Sequence, residues 1–259
     1  YIIERAVDYR MVADALYDEM SGYDAVMIGD IASEARNHVI KECFARSIRT
    51  YSVPKISDIL IRSSVDLNLF DSPILLSRNS GLTVEQQWVK RLLDVVISGL
   101  AAVVTLPVFA IAIKLTDGGP VFYTQMRMTQ VGRNFEIYKF RTMVQNAEKL
   151  SGARLASEHD PRILPVGRLL RATRLDELPQ IYNILKGEMS VVGPRPERPE
   201  LAAEIIKEIP EFSYRLKVKA GLTGYAQVYG KANTSPYDKL QMDLMYIGEQ
   251  SVITDLKII

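Results

Sequence analysis

Cysteine is almost missing from this chain. The single Cys43 excludes an internal disulfide, and with only His38 and His159 beside it in 259 residues a zinc cluster lacks ligands. An excess of one charge is missing too. Lys and Arg total 32 against 31 Asp and Glu, so no global attraction draws the protein to nucleic acid, and no such partner is expected. No G-x-G-x-x-G turn occurs, which removes local support for nucleotide binding in the first eighty residues. No D-x-D pair occurs either, which argues against an ordinary metal-dependent glycosyltransferase. A P-loop is approached only by "KAGLTGYAQVYGK" (219–231). There Gly224 and Gly230 are separated by five residues instead of four, and Ala232 follows Lys231 where Ser or Thr is needed. No signal peptide can be read from a start at Tyr1, and the chain is expected to be a fragment of a longer protein.

What is present is a core-forming composition, 47% hydrophobic and 24% charged. Its character changes near residue 80. Residues 1–80 carry 9 basic and 12 acidic side chains, and the remainder carries 23 and 19, a mild basic bias suited to an anionic substrate or a membrane surface. Before the change, "DAVMIGD" (24–30) reads as a strand, Ala32 to Phe44 as a helix and "RTYSVP" (49–54) as a second strand. "VDLNLF" (65–70) adds a third. The alternation predicts a small α/β domain over 1–80 with parallel strands, a Rossmann-like fragment without chemistry of its own. "SRNSGLT" (77–83) reads as a linker to a second domain, 81–259.

From Val95 to Ile113 nineteen residues carry no charge, flanked by Lys90, Arg91 and Asp94 before and Lys114 after. The run is at the threshold length for crossing a bilayer, and a fully buried core helix is the alternative. Pro107 removes a backbone donor and crowds the carbonyl of Val103, so a break or sharp kink is expected there. Each arm is then too short to span. A re-entrant helix–break–helix over 90–114, with both flanks on the cytoplasmic face, is favoured over a kinked span.

The densest part follows. Residues 118–143 read as two short strands joined by a turn at Gly132 and ending on Lys139 and Arg141. In "RATRLDELPQIYNILKG" (171–187), Leu178, Ile181, Tyr182 and Leu185 recur at helical spacing and Gly187 is a helix stop. Pro179 is tolerated only in a first turn, so the helix should start near Asp176. By default Asp176 would be a capping residue. Neighbours on a helix do not face each other, so Asp176 and Glu177 point to separate tasks. The helix dipole with Arg171 and Arg174 would keep a carboxylate here ionised, as nucleophile or metal ligand. "GPRPERP" (193–199) sets Arg195 between two prolines on a stiff loop, where its fork suits a phosphate or a uracil edge. "YDKLQMDLMYIGEQ" (237–250) reads equally as an interfacial or a packed core helix.

The pieces "KRLLDVVIS", "YKFRTM", "DPRILPVGRLLRATRLDELPQIYNILKGEMSVVGPRPE" and "KAGLTGYAQVYGK" occur in family order over about two thirds of the chain. On them the chain resembles the bacterial sugar transferase family, the monotopic phosphoglycosyl transferases. The resemblance implies an α+β, mostly helical catalytic domain with a re-entrant membrane helix, preceded by the α/β accessory domain of the longer members. It implies transfer of a sugar-1-phosphate from a UDP-sugar to polyprenyl phosphate, with release of UMP, as the first membrane step of polysaccharide or glycoconjugate assembly. Implied with it are Mg²⁺, held by Asp176 and Glu177, and a covalent phosphosugar intermediate on Asp176. The family's upstream arginine falls on Arg171, its "KFR" basic element on Lys139 and Arg141, and its P-R-P arginine on Arg195. The membrane break, often Ser-Pro in the family, is Leu106-Pro107 here. Location at the cytoplasmic membrane is expected, with the bilayer as partner and a homodimer allowed for. The alternatives are a conventional glycosyltransferase releasing UDP and a non-catalytic, membrane-anchored anion-binding regulator.

Overall fold

The computed structural model describes residues 3–9, 20, 22–69, 72–77, 81–117, 119–144, 160, 162–231 and 233–259. His159 and the centre of the expected linker, 78–80, lie outside these residues. By compactness the chain divides into residues 1–58 and 59–259.

In the first unit, β1 (Ala25–Ile28) runs into α1 (Ser33–Ala45) and returns as β2 (Arg49–Ser52), parallel to β1 with Ala25 opposite Arg49. This is the strand–helix–strand pattern read from the sequence. One face of the strand pair packs on the helix through Ile28, Val39 and Cys43, joined by Met20. α2 (Ile56–Arg62) follows. The third strand does not extend that sheet. β3 (Val65–Leu69) pairs antiparallel with β4 (Ser72–Leu76), a segment that sequence patterning had not marked as a strand because its first turn holds Pro73. With only two residues between the strands a hairpin is the local solution, and no crossover to β1 is needed.

The second unit is organised around α3 (Val84–Asp117), 34 residues long. Its helical backbone continues through Pro107, so the expected full break is not seen. A proline withdraws one N–H donor, and the bonds on either side keep the turns closed. Two residues upstream the Thr105 hydroxyl donates to the Ala101 carbonyl at 2.7 Å, a back-bond of the kind that bends helices. No helix among the described residues is long and apolar enough to cross a membrane.

Both ends of α3 are docked. Near its start, Asp94 accepts hydrogen bonds from Ser190 Oγ at 3.1 Å and the Val191 N–H at 2.9 Å. Lys90 pairs with Asp255 and donates to the Val192 carbonyl at 3.2 Å. Beyond Pro107, Ile113 is fully buried against Phe140 and Leu170, with Phe109 packed beside them. Between these anchors Leu100 and Val103 are at least 70% exposed, as is Trp88 ahead of the first anchor.

β5 (Phe122–Met128) and β6 (Asn134–Phe140) form the expected antiparallel hairpin, turned by Val131 and Gly132 at positive φ. α4 (Pro165–Thr173), α5 (Gln180–Lys186) and β7 (Ser190–Val192) follow. Then come α6 (Pro199–Glu208), a 3-10 segment (Pro210–Lys217) and β8 (Gly221–Thr223), which lies parallel to β7. α7 (Tyr225–Val228), α8 (Pro236–Gly248) and α9 (Val252–Ile258) close the chain. Phe135, Ile137, Ile184, Met189, Val192 and Tyr246 make the main core. α8 therefore resolves as a packed helix, burying Leu240, Leu244 and Tyr246.

Candidate active site

Asp176 and Glu177 occupy a 3-10 turn, Leu175–Glu177, between α4 and α5. Arg174 makes the corner: it ends α4 in the left-handed region, at φ 58°, and its carbonyl accepts the Glu177 N–H at 3.3 Å. α5 begins only at Gln180, with Pro179 as its flank and no side-chain cap. Asp176 therefore caps nothing, contrary to the default reading of the sequence. The apolar face also differs, with Ile181 and Ile184 buried and Tyr182 half exposed. Gly187 stops the helix as expected, at φ 85°.

The two carboxylates meet different surroundings. Glu177 is gripped: Lys139 Nζ on β6 donates to Oε1 at 2.6 Å, and Arg195 donates to Oε2 at 3.0 Å and to Oε1 at 2.6 Å. Burial alone would raise this acid, but Arg195 and Lys139 reverse that and hold it down at about 2. Arg195 is in turn pushed up, first by its hydrogen bonds to Glu177. Asp176 receives no hydrogen bond from a described side chain. Burial and then the Glu177 charge push it above the usual aspartate range, while Lys139 and Arg171 pull the other way. The expectation that Arg171 and Arg174 would hold a carboxylate ionised thus transfers to Glu177, and to Lys139 and Arg195 as its partners. A charge buried at 15% exposure needs direct hydrogen bonds, and among the described residues these two cations supply them.

The remaining predicted residues separate. Arg171 Nε donates to Thr142 Oγ1 at 2.9 Å, within the field of Asp176. Arg141 is buried, its Nε donating to the Pro120 carbonyl at 2.6 Å at the base of the hairpin. The Arg174 side chain is exposed and forms no ion pair with either acid among the described residues; its contribution is the main-chain corner.

Three further residues hold this arrangement. Asn183 on α5 is fully buried and bonds β6 as a neighbouring strand would. Its Oδ1 accepts the Tyr138 N–H at 3.1 Å and its Nδ2 donates to the Glu136 carbonyl at 2.7 Å, which fixes the acidic turn against Lys139. Arg91 closes the other end of α5, donating to the Ile184 and Leu185 carbonyls at 2.6 and 2.7 Å. Arg127 on β5 donates to the Pro196 carbonyl at 3.1 Å and pairs with Glu197. The Arg195 loop also depends on glycine. A Cβ on Gly193 would lie 2.4 Å from the Lys219 carbonyl oxygen, and one on Gly221 would lie 2.1 Å from the Gly193 nitrogen. Larger residues would part the loop from β8. Nothing in the sequence marks Asn183 or Arg127, whose partners on the facing elements lie 45 to 70 residues away.

No group of three or more His, Cys, Asp or Glu able to hold a metal occurs among the described residues. Mg²⁺ asks for less, one or two carboxylates with water and phosphate supplying the rest, and the Asp176 carboxylate beside Glu177, which accepts no hydrogen bond from a described side chain, fits that need.

Asp176, without a hydrogen bond from a described side chain, thus lies next to a clamped Glu177, with Lys139, Arg171 and Arg195 around the pair. The comparisons with known proteins place it further. Residues 85–259 match the model of the bacterial sugar transferases, and the chain belongs to that family. It is 36% identical to the UDP-N-acetylgalactosamine-undecaprenyl-phosphate N-acetylgalactosaminephosphotransferase of Aeromonas hydrophila, over 92% of this chain and 57% of that protein. It is 34% identical to the UDP-glucose:undecaprenyl-phosphate glucose-1-phosphate transferase of Klebsiella pneumoniae, over 95% and 53%. The Escherichia coli K12 transferase with the same designation is 38% identical, over 74% and 41%. The chain thus spans about half the length of these relatives.

Proposed function

We propose that the protein transfers a sugar-1-phosphate from a UDP-sugar to undecaprenyl phosphate and releases UMP, through a covalent intermediate on Asp176. One observation carries this reading: of two adjacent acids, Glu177 is clamped by cationic side chains and Asp176 accepts no hydrogen bond from a described side chain. An Asp176 oxygen attacks the sugar-bearing phosphorus of the donor, the bond from that phosphorus to UMP breaks, and UMP leaves. An oxygen of the lipid phosphate then attacks the same phosphorus, the bond to Asp176 breaks, and the free carboxylate returns. Arg171 and Lys139 offset the charge of the incoming diphosphate. Arg195 can share its fork between Glu177 and a phosphate. Asp176 and Glu177 would hold Mg²⁺, whose chemistry when bound is to neutralise and orient the diphosphate. The open apolar face of α3 suits a bilayer, where the lipid substrate resides, and supports location at the cytoplasmic membrane. The first eighty residues would serve as an accessory domain.

The test is stoichiometric. Incubated with UDP-sugar and Mg²⁺ but no lipid, the protein should release about one equivalent of UMP per site. A hexose-phosphate mass should appear on the Asp176 peptide. Asp176→Asn should abolish both while leaving the melting temperature nearly unchanged. Release of UDP would identify a conventional glycosyltransferase, and an active Asp176→Asn protein would overturn the assignment.

A further inference from the structure

The loop that carries Arg195 is pinned at its flanks by main-chain bonds, the Gly221 N–H to the Pro194 carbonyl at 2.8 Å and the Met128 N–H to the Glu197 carbonyl at 3.0 Å. Pro194, Arg195, Pro196 and Glu197 line one side of a shallow recess that Ile206 and Phe212 line on the other. Between those flanks the polar contacts of Arg195 itself decide where its side chain points. One such contact rises from the interior. Arg215, in the 3-10 segment, donates to the Arg195 carbonyl at 2.9 Å. It pairs with Asp243 of α8 at 2.7 Å, the two side chains being 7% and 1% exposed. The Phe212 ring lies 4.6 Å from the guanidinium carbon and backs it from the apolar side.

A buried pair of this kind is poorly explained by stability, since apolar residues of the same volume usually serve as well or better. What an apolar pair could not do is reach the loop. The group that Arg215 engages beyond Asp243 is the main chain of the residue whose guanidinium grips Glu177.

We propose that Asp243 and Arg215 form a buried strut that fixes the Arg195 main chain and so sets the two-pronged hold of Arg195 on Glu177. Both are positioning residues, and neither touches substrate. Arg127 secures the next carbonyl of the loop from the β5 side, so the strut controls Arg195 from one direction while Arg127 controls Pro196 from the other. The inference rests on the reading that Asp176 and Glu177 are the reaction centre, but the position of the loop can be read without it.

Arg215→Gln alone would strand a buried carboxylate, so the paired variant Arg215→Gln/Asp243→Asn, which removes both charges together, is made alongside it. UMP release is measured in the wild-type background and in Arg195→Lys, where a charge remains but the fork is gone. The paired variant should lower kcat roughly tenfold in the first background and less than about twofold in the second, because there the strut has nothing left to aim. Equal losses in both backgrounds would mean a general packing role and would overturn the proposal. Hydrogen exchange of the amides in 193–198 gives a second readout. It should quicken in the paired variant, and unchanged exchange would also overturn the proposal. If the wild-type protein released no UMP, the reaction reading would fail, and exchange alone would decide for or against the strut.

Discussion

A carboxyl group in this protein is charged or not according to what reaches it, and three acids show the range. Glu177 is held at about 2 by two cations on its oxygens. Asp176, one residue away, is pushed up by burial and then by the Glu177 charge. Asp243 has Arg215 beside it, yet burial dominates and raises it to about 6; Glu197 adds to the rise, and Arg215 and Lys239 oppose it. Its folded value exceeds its unfolded value, so between about 4 and 6 the folded state binds more protons. Its contribution to stability is therefore largest near pH 4 and is lost as pH rises through 6. A shift of about two units corresponds to about 3 kcal/mol. Asp176 acts in the same direction, whereas Glu177 acts only at more acid pH. Thermal melts from pH 4.5 to 7 should show this decline in the wild-type protein and a flatter profile in Asp243→Asn. An identical slope in the variant would remove Asp243 as its source. That "RLDELPQ" sets two acids among basic residues was legible in the sequence. Which acid is clamped was not, because Lys139 and Arg195 are 38 and 18 residues from Glu177 and only the folded chain brings them in.

Elements whose signals are local were read correctly. The hairpin turning at Gly132 and the stop of α5 at Gly187 both need a backbone that few residues adopt. The start of α5 was misplaced because Pro179 permits several first-turn positions, and the left-handed Arg174 chose among them. The pairing of β3 was missed because its partner contains a proline, tolerated here on a two-stranded edge. Asn183 is the link that sequence patterning cannot expose, a polar residue at a fully buried helix position whose amide acts as a strand edge. Replacing it by Leu would leave the part-buried Tyr138 N–H and Glu136 carbonyl without these partners, at a cost of about 1–2 kcal/mol. Asn183→Leu should therefore lower the denaturant midpoint markedly. It should also lower turnover beyond what the remaining folded fraction accounts for, since Lys139 would lose its register with Glu177. A midpoint within error of the wild-type protein would show that Asn183 does not tie α5 to β6.

At the scale of the whole second unit, α3 is the element on which the proposed meeting of a water-soluble donor and a lipid acceptor depends. As one continuous helix, its charge-free run 95–113 would cover about 28 Å at the helical rise, close to a hydrocarbon core of about 30 Å, so length does not separate a span from a dip. The docking of its ends makes a separate argument. Asp94 is bonded to β7, and Ile113 is buried against Phe140 and Leu170, so both ends of the run rest on one body. A body that stays on one side of a bilayer holds both ends there, while Leu100 and Val103 between them face outward and can enter the lipid. This favours a helix that dips into one leaflet over a span kinked at Pro107. Single cysteines at the exposed positions Glu85 and Lys114, in a Cys43→Ser background, should react equally with a membrane-impermeant maleimide in sealed vesicles. Both should be protected or both labelled, according to vesicle orientation. Opposite labelling would mean that α3 crosses the bilayer, and one of its two docked ends would then have to leave the body when the protein meets the membrane.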